Sequence, residues 1–230
     1  MVLTVRKKRT GEVLDAVYKN KDKSVKMVIK RSTSRGAATT EIKFSENSRT
    51  ALTLSIRKTS CNNLNCFGTA QISARGRGVN YQMLVDFESI SKSKSKDSAR
   101  VTISHNRTRQ KGLLNLNTGK IVGCGRYGLM NVLNDDQIKM VETFKVPLKS
   151  ISRFYEGQIK SSMLSTYSGL GTGEGLILLS FKGGVCRALC AAIFAAMATG
   201  CCGGTAGALC ILCVALAAAD ASLCMDLCPK

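Results

Sequence analysis

Eight of the chain's 11 cysteines crowd its last 46 residues: Cys186, Cys190, Cys201, Cys202, Cys210, Cys213, Cys224 and Cys228. Thiols at that density can cross-link, hold a metal or exchange disulfides. A zinc or iron–sulfur site could use Cys210-x-x-Cys213, but such sites pair one CxxC with another, and the chain has no second. A disulfide-exchange motif sits at a helix start after a strand, among charged groups. Here no charged residue occurs between Arg187 and Asp220. The pattern favours cross-linking, which implies an oxidising destination. No metal and no other cofactor is expected. Upstream, Cys61, Cys66 and Cys124 are odd in number; Cys61 and Cys66 could close a hairpin around Asn62–Asn65 or stay reduced.

The rest of the chain offers little catalytic material. His105 is the only histidine and extends an alternating strand pattern, so it reads as a strand or turn residue. Thr166–Gly175 contains Gly169, Gly171, Gly173 and Gly175, but the spacing fits neither GxGxxG nor GxxxxGK[ST]. It reads as a protease-accessible linker. No catalytic residue is identified, and no enzyme is expected.

The elements that position the cysteines follow from composition. Val185–Thr199 is Ala-rich and favours helix, which puts Cys186 and Cys190 on one face. Gly200, Gly203, Gly204 and Gly207 break it around Cys201-Cys202, and Ala208–Leu227 favours helix again. Folding back at the glycines makes a small αα-hairpin. The geometric preference is for two bridges at its ends and two at its turn, out of 105 possible pairings of eight cysteines. A domain of this size cannot hold itself together by burial alone, and each bridge adds about 2–4 kcal/mol. More apolar surface remains than the hairpin can hide, and that excess seeks a membrane or a partner. A transmembrane helix competes with this reading, although the glycine cluster cuts the apolar run near its middle.

The upstream region has a different chemistry. The net charge is +19, and Arg187 and Lys230 balance Asp220 and Asp226, so the whole excess lies in residues 1–184. Such a surface attracts polyanions, or merely keeps the region soluble; the lysines are scattered in sequence and form no stripe. From Val2 to about Val122 the chain reads as β. Alternating runs occur at Val13–Tyr18, Val25–Ile29, Thr40–Phe44, Leu52–Ile56, Ala70–Ala74, Tyr81–Phe87 and Val101–Ser104. That spacing predicts an antiparallel meander, sandwich or barrel. Ser91–Lys96 reads as an exposed loop. After Gly128 the period changes. Asn134 or Asp135 can cap a helix carrying Ile138, Val141 and Phe144, ended by Pro147. A second amphipathic stretch runs through Leu148, Ile151, Tyr155, Ile159 and Met163. The expected fold is α+β, in three segments: a basic carrier at 1–165, a linker and processing region at 166–184, and the cysteine-rich peptide at 185–230. The contrast in composition predicts that carrier and peptide do not share a core.

This layout, with Cys186-x3-Cys190, Cys201-Cys202, Cys210-x2-Cys213 and Cys224-x3-Cys228 in an apolar C-terminal peptide, resembles the precursors of halocin-type bacteriocins, the microhalocins. Gly183-Gly184 resembles the leader end recognised by peptide-exporting transporters and marks a processing position. The resemblance implies a secreted, disulfide-bonded antimicrobial peptide that acts on target-cell membranes. It also implies an N-terminal region that binds its own peptide and confers immunity or silence, remaining cytoplasmic or membrane-associated. An export transporter and a protease are then required partners. The archaeal members carry a twin-arginine signal and halophile proteins are acidic. Here Thr10-Gly11-Glu12 follows the basic Arg6–Arg9, and the charge is +19, which points to a Gram-positive bacterial relative. The competing reading is a membrane-anchored basic β domain that binds an anionic polymer or nucleic acid. With no Trp and 5 Tyr, stacking of single-stranded bases is disfavoured.

Overall fold

A computed structural model describes residues 2–21, 23–34, 37–59, 69–86, 98–115, 121–123, 132–168 and 208–226. Its first part is an antiparallel sheet of 10 strands in simple sequence order: β1 (Val2–Lys7), β2 (Val13–Asn20), β3 (Lys23–Ser34), β4 (Ala37–Glu46), β5 (Arg49–Thr59), β6 (Thr69–Gly76), β7 (Val79–Asp86), β8 (Ser98–His105), β9 (Thr108–Asn115) and β10 (Ile121–Val122). The meander is the topology that short connections impose. The turns are tight. Asn47-Ser48 and Asn106-Arg107 each have positive φ at both residues, the hairpin geometry that matches strand twist. The alternating runs read from the sequence fall in β2–β8, save Phe87, which lies outside the described residues. Strands β1, β9 and β10 carry no such run and were not separately expected; they pair with neighbours whose register is already set.

Alternation sorts each strand onto two faces. Cross-strand rows such as Ile29–Ile42–Leu54–Ala74–Tyr81 and Met27–Phe44–Leu52 are buried on the inner face. The outer face carries Lys, Arg, Ser, Thr and Gln.

Among the described residues three helices follow: α1 (Asp135–Thr143), α2 (Lys145–Ser168) and α3 (Ala208–Asp226). Asn134 caps α1, accepting from the Gln137 amide at 2.9 Å while Gln137 Oε1 accepts from the Asn134 amide at 3.0 Å. This is the reciprocal capping box. Gln137 Nε2 also donates to the carbonyls of Ala51, at 3.5 Å, and Arg77, at 3.4 Å, fastening α1 to the sheet. Gly76 makes that approach possible: a Cβ there would lie 2.5 Å from the Ala51 carbonyl oxygen and 2.9 Å from Gln137 Nε2. Pro147 does not end the first helix. The break comes at Phe144, and Pro147 stands in the first turn of α2, where its missing N–H costs nothing.

The helices pack on the inner face, and one hydrophobic cluster joins residues of β2–β9, α1, α2 and α3. The expectation of separate cores is therefore overturned for the C-terminal helix. Its composition sets it apart from the sheet, but small apolar side chains pack on any apolar surface that admits them, and the sheet's inner face is such a surface.

Candidate functional site

The site is the cradle that encloses α3. Ala, Leu, Ile, Val and Cys build this helix from Cys210 to Ala219 on every side, so it has no polar face to give to water. Leu212, Cys213, Ala215–Ala219, Ala221 and Ser222 are buried, and Ile211 and Val214 pack against the same cluster. The enclosure has three walls. Strands β3, β4 and β5 form the floor, α2 runs along one side, and α1 touches another.

Asp220 is the one charged residue of α3 before its last position, and it is only 4% exposed. A buried carboxyl must be partnered, and Asp220 is engaged. A second polar tie joins the two long helices: Ser222 Oγ donates to Gln158 Oε1 at 2.7 Å.

The walls are held by their own contacts. Phe144, after α1, packs against Phe44 of β4, ring centroids 5.8 Å apart and tilted by 46°. Helix α2 buries the stripe Leu148, Ile151, Tyr155 and Ile159. Tyr155 is the centre of a polar strap to the sheet. Its hydroxyl donates to Glu12 Oε1 at 2.6 Å, and the Arg31 guanidinium of β3 lies 4.3 Å from its ring centroid. Glu12 also accepts from Lys8 Nζ at 2.7 Å and lies 3.9 Å from Arg31. Arg31 Nε and Nη2 are buried with no hydrogen-bond partner among the described residues, so the ring face is a main compensation for that cation. Burial and the Glu12 hydrogen bond push the Tyr155 phenol well above its ordinary range. Burial would raise Glu12, but the hydrogen bonds from Lys8 and Tyr155 and the charges of Lys8 and Arg31 outweigh it and hold the carboxyl below its ordinary value.

Of the predicted disulfide set, Cys210 and Cys213 lie three apart in the first half of α3, and both are disulfide-bonded. Cys224 belongs to α3 by its backbone. Cys186, Cys190, Cys201, Cys202 and Cys228 lie outside the described residues, as do Gly183, Gly184, Cys61, Cys66, Cys124, Ser91–Lys96 and Gly169–Gly175. Only the second helix of the expected αα-hairpin is therefore described, and it starts at the expected Ala208. His105 ends β8, at a hairpin, with its Nε2 3.0 Å from Asn106 Nδ2. Among the described residues no three His, Cys, Asp or Glu side chains converge as metal ligands. Also among them, no helix is long and apolar enough to cross a membrane. The arrangement binds and encloses an apolar helix. Sequence reasoning missed Glu12, Arg31, Gln158 and Ser222 as site residues, because each acquires its role from a partner at least 19 positions away. No known protein family, curated protein or solved structure matches the chain.

Proposed function

We propose that the chain is the precursor of a secreted, disulfide-rich antimicrobial peptide, with the β-rich carrier holding the peptide's apolar helix silent. The carrying observation is the enclosure of α3 by the sheet, α1 and α2, with Ala215–Ser222 buried in sequence. A helix without a polar face is soluble only while something covers it. Inside the carrier the cover is protein; after release the available cover is a membrane. Eight cysteines in 46 residues support a peptide that survives outside the cell once oxidised. Gly183-Gly184 supplies the processing position and calls for an exporter and protease. The packing of the same helix on the sheet, α1 and α2 supports a further role as immunity protein.

Intact mass spectrometry of a producing culture's supernatant tests this, with and without reduction and alkylation. The expected species runs from near Val185 to Lys230 and takes up eight alkyl groups only after reduction. Made alone and oxidised, it depolarises bacteria. Recovery of the full chain only, in the cell pellet with free thiols, removes the proposal.

A second reading is favoured by the single hydrophobic cluster that α3 shares with β2–β9. Here α3 is a permanent part of an uncleaved basic domain that binds an anionic polymer. The same mass spectrum separates the two.

A further inference from the structure

We propose that the outer face of β7–β9 is a docking site for an anionic phospholipid surface. Arg109 and Lys111 meet the lipid phosphates, and Leu113 and Val122 enter the boundary between headgroups and acyl chains. Register creates the site. Pairing places Ser104 opposite Arg109, Thr102 opposite Lys111 and Arg100 opposite Leu113, with Val122 of β10 beside Leu113 in turn. These side chains point away from Met83, Val85, Val101 and Ile103, which are buried on the other face. Between them lies a groove of about 740 Å³, lined also by Leu84 and Asp86.

Its charge is unbalanced. Among the described residues that line it, Arg100, Arg109 and Lys111 face one carboxylate, Asp86, which stands opposite Arg100 in the strand pair, so there Arg109 and Lys111 carry the surplus. Its apolar content is equally out of place in water: Leu113 is 52% and Val122 68% exposed, side by side at the end of the sheet. Cations flanking exposed aliphatic groups are the pattern of an interfacial lipid site, where phosphates and acyl chains lie a few ångströms apart. A single-stranded nucleic acid needs aromatic platforms, and among the described residues no aromatic side chain lines the groove. The helix α3 packs on the opposite face of the sheet, so docking leaves it enclosed. The site thus operates on the intact chain and does not depend on release of a peptide.

The test is co-sedimentation of the oxidised full chain with vesicles of phosphatidylglycerol and phosphatidylcholine, against vesicles of phosphatidylcholine alone. The chain is expected to prefer the anionic vesicles. Arg109→Gln with Lys111→Gln is expected to lower partitioning about thirtyfold. Lys19→Gln with Lys26→Gln, the same charge change on exposed positions of β2 and β3, lowers it by less than about threefold. Leu113→Ser, which keeps all charge, lowers it about fivefold. All three variants change exposed side chains, and circular dichroism checks that the fold is kept. Equal losses from the two charge pairs would assign binding to the diffuse +19 field and overturn the site. So would unchanged binding of Leu113→Ser, equal uptake by phosphatidylcholine, or tighter binding of a short DNA oligonucleotide that depends on Arg109 and Lys111.

Discussion

Helices α2 and α3 lie against each other, yet they are specified in opposite ways. Helix α2 is striped: Leu148, Ile151, Tyr155 and Ile159 are buried, and Lys149, Arg153 and Gly157 face water. Its pattern alone says which side meets the sheet. Helix α3 is apolar all round from Cys210 to Ala219, and it is buried all round from Leu212 to Ser222, apart from a partly exposed Val214. Its pattern demands a cover without naming one. The difference teaches that α2 is a fixed wall, whereas α3 is held by enclosure and, among the described residues, by the Ser222–Gln158 hydrogen bond and the engaged Asp220, Cys210 and Cys213.

The comparison breaks most sharply at the centre of α3. Leu216→Asp puts an uncompensated carboxylate in the enclosure and is expected to cost at least about 4 kcal/mol in urea unfolding. If the cost is small, α3 is not held where its burial says. Phe144→Ala removes the ring that packs against Phe44 and should cost about 3–5 kcal/mol, loosening the cradle.

The strap that fixes α2 should show in pH dependence, with opposite signs for its two titrating members. Tyr155 has its phenol pKa raised by burial and by Glu12, so its contribution is whole below the unfolded value of 10.0 and is lost as pH climbs beyond it. Glu12 is held below 4.5, so its contribution is present above that value and is lost as pH falls through and below it. Thermal melts should fall at both extremes. Tyr155→Phe should remove the alkaline fall, and Glu12→Gln the acid one. Persistence of both falls in the double variant would place the titration elsewhere.

Smaller effects refine the contrast. Ser222→Ala should cost about 1 kcal/mol, the worth of one hydrogen bond between α2 and α3. It should also raise hydrogen exchange in α3 more than in α2, since α2 keeps its strap. Lys149→Ala, on the solvent side of α2, should change stability by no more than about 0.5 kcal/mol.

The sequence by itself determined the local structure. Alternation in Leu52–Ile56 or Tyr81–Phe87 can only place one face in a core, and Asn134 or Asp135 ahead of Ile138 and Val141 marks a helix start. The start of α3 at Ala208 follows from Gly207 just before it. These features are set by neighbours within a few residues, where period and propensity are decisive. Tertiary structure alone decided the rest. Composition divided carrier from C-terminal peptide at Gly184, but composition says only that α3 must be buried, and the sheet's inner face proved to be the surface that buries it. Lysines and arginines scattered in sequence became a groove because antiparallel register brings Arg100, Arg109 and Lys111 onto one face. The strap of Glu12, Arg31 and Tyr155 spans 143 positions between its ends and exists only when α2 lies across β2. Partners that distant are chosen by packing, because no local propensity reaches so far along the chain.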